Sequence, residues 1–253
     1  MINWQETKAA IFRSNKKALK PIREIDIPNL ELLVGLKRQK ELLYENTDKF
    51  IKKSEANHAL LWGQRGCGKS TLAKAIFGKF YDLGLRVVEI RSADLLYLED
   101  ILDEIRESSF KFIIFCDDLS FEEGDFNYKY LKPLLEGSLE LAPKNVLMYA
   151  TSNRRHLLPE YQKDNLDVEI SNDELHYGDA IEERLSLSDR FGLSIGFYQG
   201  SYEEYLLMVE SYFKDYKGDK EELFKKAREF SMTRASRSGR TAKQFYLAYK
   251  DKF

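Results

Sequence analysis

One short segment of the sequence has the residue types and spacing of a phosphate-binding loop. Residues 63–70, the phosphate loop, read GQRGCGKS and match G-x-x-x-x-G-K-[ST] at every fixed position. Glycines let successive backbone N–H groups point at a phosphate without a Cβ clash, and the positive end of the following helix adds to the attraction. Lys69 would reach the β- and γ-phosphates, and the Ser70 hydroxyl would bind Mg²⁺. The residues predicted to contact ATP are Gly63, Gln64, Arg65, Gly66, Cys67, Gly68, Lys69, Ser70 and Thr71.

Two carboxylates follow the most apolar run of the chain. Residues 110–116 read FKFIIFC, and Asp117 and Asp118 come directly after them. In a P-loop fold the acid that ends this strand holds Mg²⁺ through water, and its neighbour can polarise the attacking water. Downstream of a phosphate loop, this pattern assigns Asp117 to magnesium and Asp118 to water activation.

The elements that must position these residues alternate in type. Helical patterns separate short apolar runs, which predicts right-handed crossovers and a parallel sheet that is covered on both faces. The fold class predicted is therefore a three-layer α/β P-loop core. The predicted strands are His58–Trp62, Leu85–Ile90, Phe110–Cys116, Val146–Ala150 and Leu193–Tyr198. The predicted helices lie at 35–53, at Ser70–Leu83, before Arg106 and at Tyr128–Leu141.

The N-terminal segment has a different pattern. From Trp4 to Lys20, apolar and basic residues recur at helical spacing until Pro21, so that we expect a helix there. Residues 22–32 are expected to be irregular or extended. This N-terminal helical or extended segment (1–34) would be either a docking arm or a helix packed on the core, and we expect packing.

The C-terminal part of the sequence is helical only. Its predicted helices are Tyr202–Tyr216, Lys220–Phe230 and Thr241–Tyr249. We therefore divide the rest of the chain into an α/β nucleotide-binding core (35–198) and a helical lid (199–253). Within the core, the polar stretch 154–178 is long for a connection, and 180–187 is predicted to be a short helix.

Composition excludes several classes of protein. The 40 basic and 42 acidic residues give a net charge of −2, so that no global basic surface for nucleic acid is present, although a local patch stays open. No apolar run approaches the roughly 20 residues that cross a bilayer, and the N-terminus lacks the apolar region of a secretory signal. The two cysteines, Cys67 and Cys116, form no metal-binding pattern. We expect a cytoplasmic protein without a membrane partner.

The distinctive segments together resemble a family of uncharacterised bacterial AAA+ ATPases that is defined as a domain of unknown function. The resemblance spans Val34 to Phe245 and rests on LLWGQRGCGKS, FCDDLSFEEGD, YATSNRRHL and ERLSLSDRFGL. More distantly, the chain resembles the bacterial replication initiator and the helicase-loader ATPases, which share the Asp-Asp ending and a comparable S-R-F box. The resemblance implies ATP hydrolysis.

The resemblance also implies roles for residues outside the phosphate loop. Asn153 in YATSN falls at sensor 1, between the strand acid and the γ-phosphate, although Asn is also common in turns. Arg190 in LSDRFGL matches the arginine finger of a neighbouring subunit, and its alternative is a surface salt bridge. Arg240 in the lid falls at sensor 2, with Arg237 as the second candidate and a solvated helix start as the alternative to both.

Two departures from the AAA+ pattern bear on activity. Most AAA+ ATPases have Glu where this chain has Asp118, which is one methylene shorter. We therefore expect slow hydrolysis, or assistance from Glu122 or Glu123. No aromatic-hydrophobic-glycine pore loop occurs between Arg91 and Phe110, which argues against a machine that threads proteins.

Three functional classes stay open at this point. The first is an ATPase that remodels or assembles an unidentified macromolecular partner, working as a homo-oligomer because a finger in trans needs a neighbour. The second is a loader that associates with nucleic acid, and the third is a switch that binds ATP without hydrolysing it. The histidines His58, His156 and His176 are too scattered to predict a metal site.

Overall fold

The sheet is built from strands that are distant in sequence. The computed structural model describes residues 2–122, 125–137, 139–155, 157 and 187–253. In these residues the strands are β1 (Ala9–Arg13), β2 (Ala18–Pro21), β3 (Ala59–Gly63), β4 (Leu85–Ile90), β5 (Lys111–Cys116), β6 (Val146–Ser152) and β7 (Leu193–Phe197). They form one sheet in the order β2-β1-β4-β5-β6-β3-β7. All neighbouring pairs are parallel except β1 and β2.

Helices connect these strands and follow them. The α-helices in the described residues are α1 (Lys37–Lys53), α2 (Lys69–Phe80), α3 (Leu98–Ile105), α4 (Lys132–Glu136), α5 (Tyr202–Tyr212), α6 (Lys220–Thr233) and α7 (Gly239–Tyr249). Short 3-10 helices occur at Ser14–Lys16, Leu30–Leu32, Tyr81–Leu83, Ser92–Tyr97 and Asn127–Leu131. No helix in the described part of the chain is long and apolar enough to cross a membrane.

Both faces of the sheet are buried. On β5, Phe112 and Ile114 belong to a hydrophobic cluster that includes the buried leucines and isoleucines of α3. Ile113 and Phe115 alternate with them and belong to a second cluster, which includes residues of α1 and α2. A strand that is buried on both faces has a continuous apolar sequence. The prediction of a three-layer α/β fold with a parallel sheet is confirmed.

The prediction of a helix over Trp4–Lys20 is wrong. The segment contains β1 and β2, and β1 pairs in parallel with β4. Ala10 and Phe12 are buried in the cluster on one face of the sheet, while Ala9 belongs to the cluster on the other. Hydrogen bonding to a strand far along the chain overrides the local helical spacing, which is a weak preference by comparison. The N-terminal segment therefore extends the sheet of the core.

The helix predicted over Tyr128–Leu141 is shorter than expected. A 3-10 helix precedes α4, which ends after Glu136. Gly137 follows with φ +82, a backbone conformation that glycine adopts readily and that cannot continue a helix.

The C-terminal helices have their own hydrophobic cluster. Tyr205, Leu223 and Phe245 are buried in it, and they come from α5, α6 and α7 respectively. Ser201, Asp219 and Ser238 cap the three helices by accepting backbone N–H bonds in their first turns. The three helices predicted here are present, although α5 ends at Tyr212 rather than Tyr216 and α6 continues to Thr233. We retain the division at residue 199 as a proposal.

Part of the predicted core lies outside the described residues. This applies to most of the polar stretch 154–178, of which only 154, 155 and 157 are described. It applies also to the helix predicted at 180–187, except its last residue. Glu123, His156 and His176 lie outside the described residues as well.

Candidate functional site

Three neighbouring strands end at the place where the predicted site residues lie. The phosphate loop follows β3, Asp117 and Asp118 follow β5, and Asn153 follows β6. Because β5, β6 and β3 are adjacent and parallel, their carboxyl ends meet at one edge of the sheet. The sheet order therefore brings together residues that are far apart in the sequence.

The phosphate loop requires its glycines. Gly63, Gly66 and Gly68 have φ values of +135, +80 and +93, where other residues are strained. A Cβ on Gly63 would lie 1.9 Å from the carbonyl oxygen of Phe197 on β7. Helix α2 begins at Lys69, so that its N-terminal N–H groups face the same side as the loop. A Cβ on Gly66 would lie 2.9 Å from Ser238 Oγ, and one on Gly68 would lie 3.0 Å from Leu36 Cδ1, so that neither position has room for a side chain.

Lys69 is a buried cation without a carboxylate in its hydrogen bonds. It is 6% exposed, and its Nζ donates to the carbonyls of Gly63 at 2.7 Å and Gln64 at 2.9 Å. The third acceptor is Oδ1 of Asn153 at 3.1 Å. Burial lowers the pKa of Lys69, and the nearby charge of Asp118 acts in the opposite direction. A buried ammonium group with only neutral acceptors fits an anionic ligand such as phosphate.

Ser70 and Asp117 lie together as the sequence predicts. Ser70 Oγ donates to Asp117 Oδ1 at 2.5 Å. Thr151 Oγ1 donates to the same oxygen at 2.6 Å. A hydroxyl and a carboxylate are hard oxygen ligands, which is the donor chemistry that Mg²⁺ prefers. The residues present therefore fit a magnesium ion at the foot of the phosphate loop.

Asp118 has a strained backbone and two side-chain partners. Its φ is +58, and its backbone N–H donates to Thr151 Oγ1 at 2.9 Å. Asn153 Nδ2 donates to Asp118 Oδ1. Arg65 Nη2 lies 4.0 Å from Asp118 Oδ2. Strained backbone is often found at functional sites. Asn153 thus contacts both Lys69 and Asp118, which is the arrangement expected of a side chain between the strand acid and the phosphates.

The remaining loop residues surround this group. Thr71 and Cys67 are half-buried, and burial raises the pKa of the Cys67 thiol. Gln64 is exposed and contributes its backbone carbonyl to Lys69. Glu122, which we expected to assist Asp118, is exposed, and no contact links it to the described site residues.

The three predicted arginines lie in different places. Arg190 Nη1 is 2.6 Å from Oε1 of Glu136, at the end of α4 in the same chain. The guanidinium of Arg237 lies 4.7 Å from the ring centroid of Tyr202. Arg240 is exposed, and a Cβ added to Gly66 would lie 3.4 Å from the Cβ of Arg240. Of the three, Arg240 is therefore the one that the structure places against the phosphate loop.

Sequence reasoning missed two contributors to the site. Thr151 binds Asp117 and the backbone of Asp118, and its only signal was its position in a strand that ends at the same edge. Ser238 Oγ would lie 2.9 Å from a Cβ on Gly66, so that the start of α7 covers the phosphate loop. No local pattern predicts that second contact.

The family of the chain follows from its match over nearly the whole sequence. Residues 5–253 match the family described as "Protein of unknown function (DUF815)". The chain belongs to this family. No curated protein matches the sequence of this DUF815 member.

Solved structures give the fold of this DUF815 protein. RuvB of Thermotoga maritima, described as a Holliday junction branch migration motor, is 15% identical with a TM-score of 0.51. The match covers 88% of this chain and 72% of RuvB. Two single-residue variants of RuvB are each 14% identical to this chain, with TM-scores of 0.51 and 0.50. Each match covers 88% of this chain, and the matches cover 73% and 72% of the two RuvB chains. The DUF815 protein therefore has the AAA+ P-loop fold, as the resemblance implied.

Proposed function

We propose that this chain binds ATP with Mg²⁺ and hydrolyses it to ADP and phosphate, with water as the nucleophile. The observation that carries the proposal is the 2.5 Å contact between Ser70 Oγ and Asp117 Oδ1, at the edge where Lys69 is buried. In P-loop NTPases a loop hydroxyl and a strand acid hold the magnesium ion, and the loop lysine holds phosphate. Here the same three groups lie together.

Each residue of the group has a part in the proposed reaction. Lys69 would exchange its neutral acceptors for phosphate oxygens, and Ser70 and Asp117 would hold Mg²⁺. A bound magnesium ion neutralises charge that develops on the phosphates. Asp118 would orient the attacking water and accept its proton, while Asn153 holds the Asp118 carboxylate in place. Positioning and charge stabilisation would supply most of the rate.

Asp118→Asn tests this assignment. Asn tolerates a positive φ, and its side chain has nearly the same size, so we expect the variant to fold. Removal of a general base lowers the rate by about 10²- to 10⁴-fold. We therefore expect steady-state phosphate release to fall by about this factor, while binding of Mg·ATP measured by calorimetry is no weaker than in the wild type.

Asp82→Asn is the matched control. Asp82 is exposed and pairs with Lys8 at 2.8 Å, so that the same chemical change occurs away from the site. It should leave turnover unchanged. Wild-type protein that binds no Mg·ATP would contradict the proposed function, and equal turnover in Asp118→Asn and wild type would contradict the role of Asp118.

A second candidate function is a switch that binds ATP without turning it over. The observation that favours it is Asp118, which is shorter than the usual glutamate and is already engaged by Asn153 and Arg65. If wild-type protein binds ATP but releases no phosphate, Asp118→Glu becomes the decisive variant. Turnover gained by Asp118→Glu would support the switch, since only the missing methylene then prevents hydrolysis.

We also propose that the active form is a homo-oligomer in which Arg190 acts on a neighbouring subunit. Arg190 is held by Glu136, and among the described residues it has no hydrogen bond or ion pair with the phosphate loop. An arginine finger in trans supplies about 10³ to 10⁵ in rate. Hydrolysis would then depend on assembly.

The lid is proposed to couple the nucleotide to an unidentified macromolecular partner. The start of α7 covers the phosphate loop at Gly66, and Arg240 comes from the same turn. A change at the phosphates would therefore move α7 and the helices packed on it. We propose that this movement remodels or assembles the partner, with Arg240 as sensor 2 and Arg237 as the alternative.

A further inference from the structure

Arg65 is the one phosphate-loop side chain that forms an ion pair with a described acidic residue. Its Nη2 lies 4.0 Å from Oδ2 of Asp118, and the two side chains are 75% and 59% exposed. The other oxygen of the same carboxylate accepts a hydrogen bond from Asn153. A cation of the loop thus competes for the group that is proposed to activate water.

Arg65 and Lys69 approach the same pair of side chains. Lys69 Nζ donates to Oδ1 of Asn153, and Asn153 Nδ2 donates to Asp118. Arg65 reaches Asp118 from the other part of the loop. Lys69, Asn153, Asp118 and Arg65 thus form one continuous series of contacts, and a phosphate that Lys69 holds would lie near Arg65.

The present partner of Arg65 is a weak one. Ion pairs between exposed side chains contribute little to stability, and this one is at the long end of the range. A phosphate is a better partner, because the planar guanidinium can donate two parallel charge-assisted hydrogen bonds to it. An exposed arginine is also free to reorient, since little packing holds it.

We propose that Arg65 exchanges partners, from Asp118 in the absence of a triphosphate to the terminal phosphate of ATP. This inference rests on the proposed ATP binding and gives it a specificity. The exchange leaves Asp118 with Asn153 alone, so that its second carboxylate oxygen is no longer paired with a cation when ATP is bound. ADP has no terminal γ-phosphate, and the site therefore favours ATP over ADP through the Arg65 side chain.

Binding measurements test the exchange without relying on turnover. Calorimetry with Mg²⁺ would compare ADP with a non-hydrolysable ATP analogue in wild type, Arg65→Gln and Arg65→Lys. Arg65→Gln removes the charge-assisted hydrogen bonds to the γ-phosphate, so it should weaken binding of the analogue by about 10- to 100-fold and leave ADP binding nearly unchanged. Arg65→Lys keeps the charge without the two parallel donors, so its affinity for the analogue should be intermediate.

Arg228→Gln is the control for this series. Arg228 is exposed on α6, and the same substitution there should change neither affinity. Wild type that binds neither nucleotide would overturn the proposed function itself. Wild-type affinities in Arg65→Gln, or equal losses of affinity for ADP and the analogue, would overturn the exchange while the proposed function stands.

A double-mutant cycle gives a second readout. If Asp118 competes with the γ-phosphate for Arg65, Asp118→Asn should tighten binding of the analogue in the wild-type background. In the Arg65→Gln background the same substitution should tighten binding much less, because only the repulsion between Asp118 and the γ-phosphate is then removed. Equal effects in both backgrounds would overturn the competition.

Discussion

At the scale of single residues, Thr151 connects the two carboxylates of the site. Its Oγ1 donates to Asp117 at 2.6 Å and accepts from the backbone N–H of Asp118 at 2.9 Å. The residue is 1% exposed, so that water cannot replace these contacts readily. One buried hydroxyl therefore fixes the carboxylate proposed for magnesium and the backbone of the one proposed for water activation.

Thr151→Val should reduce both stability and magnesium binding. The substitution keeps the shape and leaves the Asp118 N–H without its acceptor, which costs about 1–3 kcal/mol. We expect the free energy of unfolding in urea to fall by about this amount, and half-maximal turnover to require more Mg²⁺. Loss of the hydroxyl frees Asp117 to rotate, which accounts for the second effect.

Thr47→Val is the matched control for this prediction. Thr47 is equally buried, and its Oγ1 bonds to the Leu43 carbonyl and the Tyr149 hydroxyl, away from the sheet edge. It should lower stability without changing the magnesium requirement. If both variants shift the requirement equally, Thr151 acts through stability alone.

At the scale of elements, His58 holds β3, β6 and α4 together. The Nδ1 atom of its imidazole accepts a hydrogen bond from the backbone N–H of Met148 at 2.9 Å. The imidazole also forms a hydrogen bond with the backbone of Leu134. Burial lowers the pKa of His58 to about 4, and the bond to Leu134 only partly opposes this. The neutral imidazole is thus part of the packing at the start of β3, at the end of that strand opposite the phosphate loop.

This pKa predicts a dependence of stability on pH. In the unfolded chain His58 binds a proton below about pH 6.5, whereas in the folded chain it stays neutral to about 4. The contribution of His58 to the free energy of unfolding is therefore complete above about pH 6.5 and is lost as the pH falls towards 4. Between pH 6.5 and 5 we expect a loss of about 1.5 kcal/mol from this group, measured by urea unfolding.

His58→Gln isolates the contribution of this histidine. The other two histidines remain in both proteins, so that the difference between the two pH profiles belongs to position 58. The variant should have lower stability at pH 7 and a flatter profile between pH 6.5 and 5. Parallel profiles would show that His58 titrates normally in the folded protein.

At the scale of the whole molecule, the site is built from one end of the sheet and the C-terminal helices. Ser238 lies against Gly66 of the phosphate loop, while Arg190 pairs with Glu136. The proposed finger therefore has a resting partner within its own chain. Its proposed target is the phosphate loop of a neighbour, and hydrolysis would then be a property of the assembly.

Mixing two inactive variants tests the neighbour's contribution. Arg190→Ala keeps an intact phosphate loop, and Lys69→Ala keeps an intact finger. Each alone should lose turnover by about 10³-fold or more, and a mixture should regain part of the activity as concentration rises. Activity returns because, at some subunit interfaces of the mixture, an intact phosphate loop meets an intact Arg190.

The control mixture contains Lys69→Ala and a chain with both substitutions, and it should stay inactive. Glu136→Gln removes the charge of the resting partner and should keep turnover, since Arg190 remains. Loss of turnover in Glu136→Gln equal to that in Arg190→Ala would instead assign the ion pair a structural role. A mixture that regains nothing would contradict action in trans.

The sequence by itself determined the candidate site residues and most of the elements. The phosphate loop needs glycines at fixed spacing, and β5 is a continuous apolar run because both faces are buried, so that each is recognisable from neighbouring residues alone. The P-loop pattern assigned Lys69 and Asp117 to one site, and the resemblance to AAA+ ATPases added Asn153. These features depend on contacts within an element or on a general rule of sheet topology.

Tertiary structure alone decided what depends on partners distant in sequence. The segment Trp4–Lys20 has a helical pattern but becomes strands because β1 pairs with β4. The roles of Thr151 and Arg65 arise from hydrogen bonds and an ion pair to carboxylates on another strand's end. The energy of such contacts depends on distances across the fold. The identity and spacing of residues that are neighbours in the sequence do not reveal those distances.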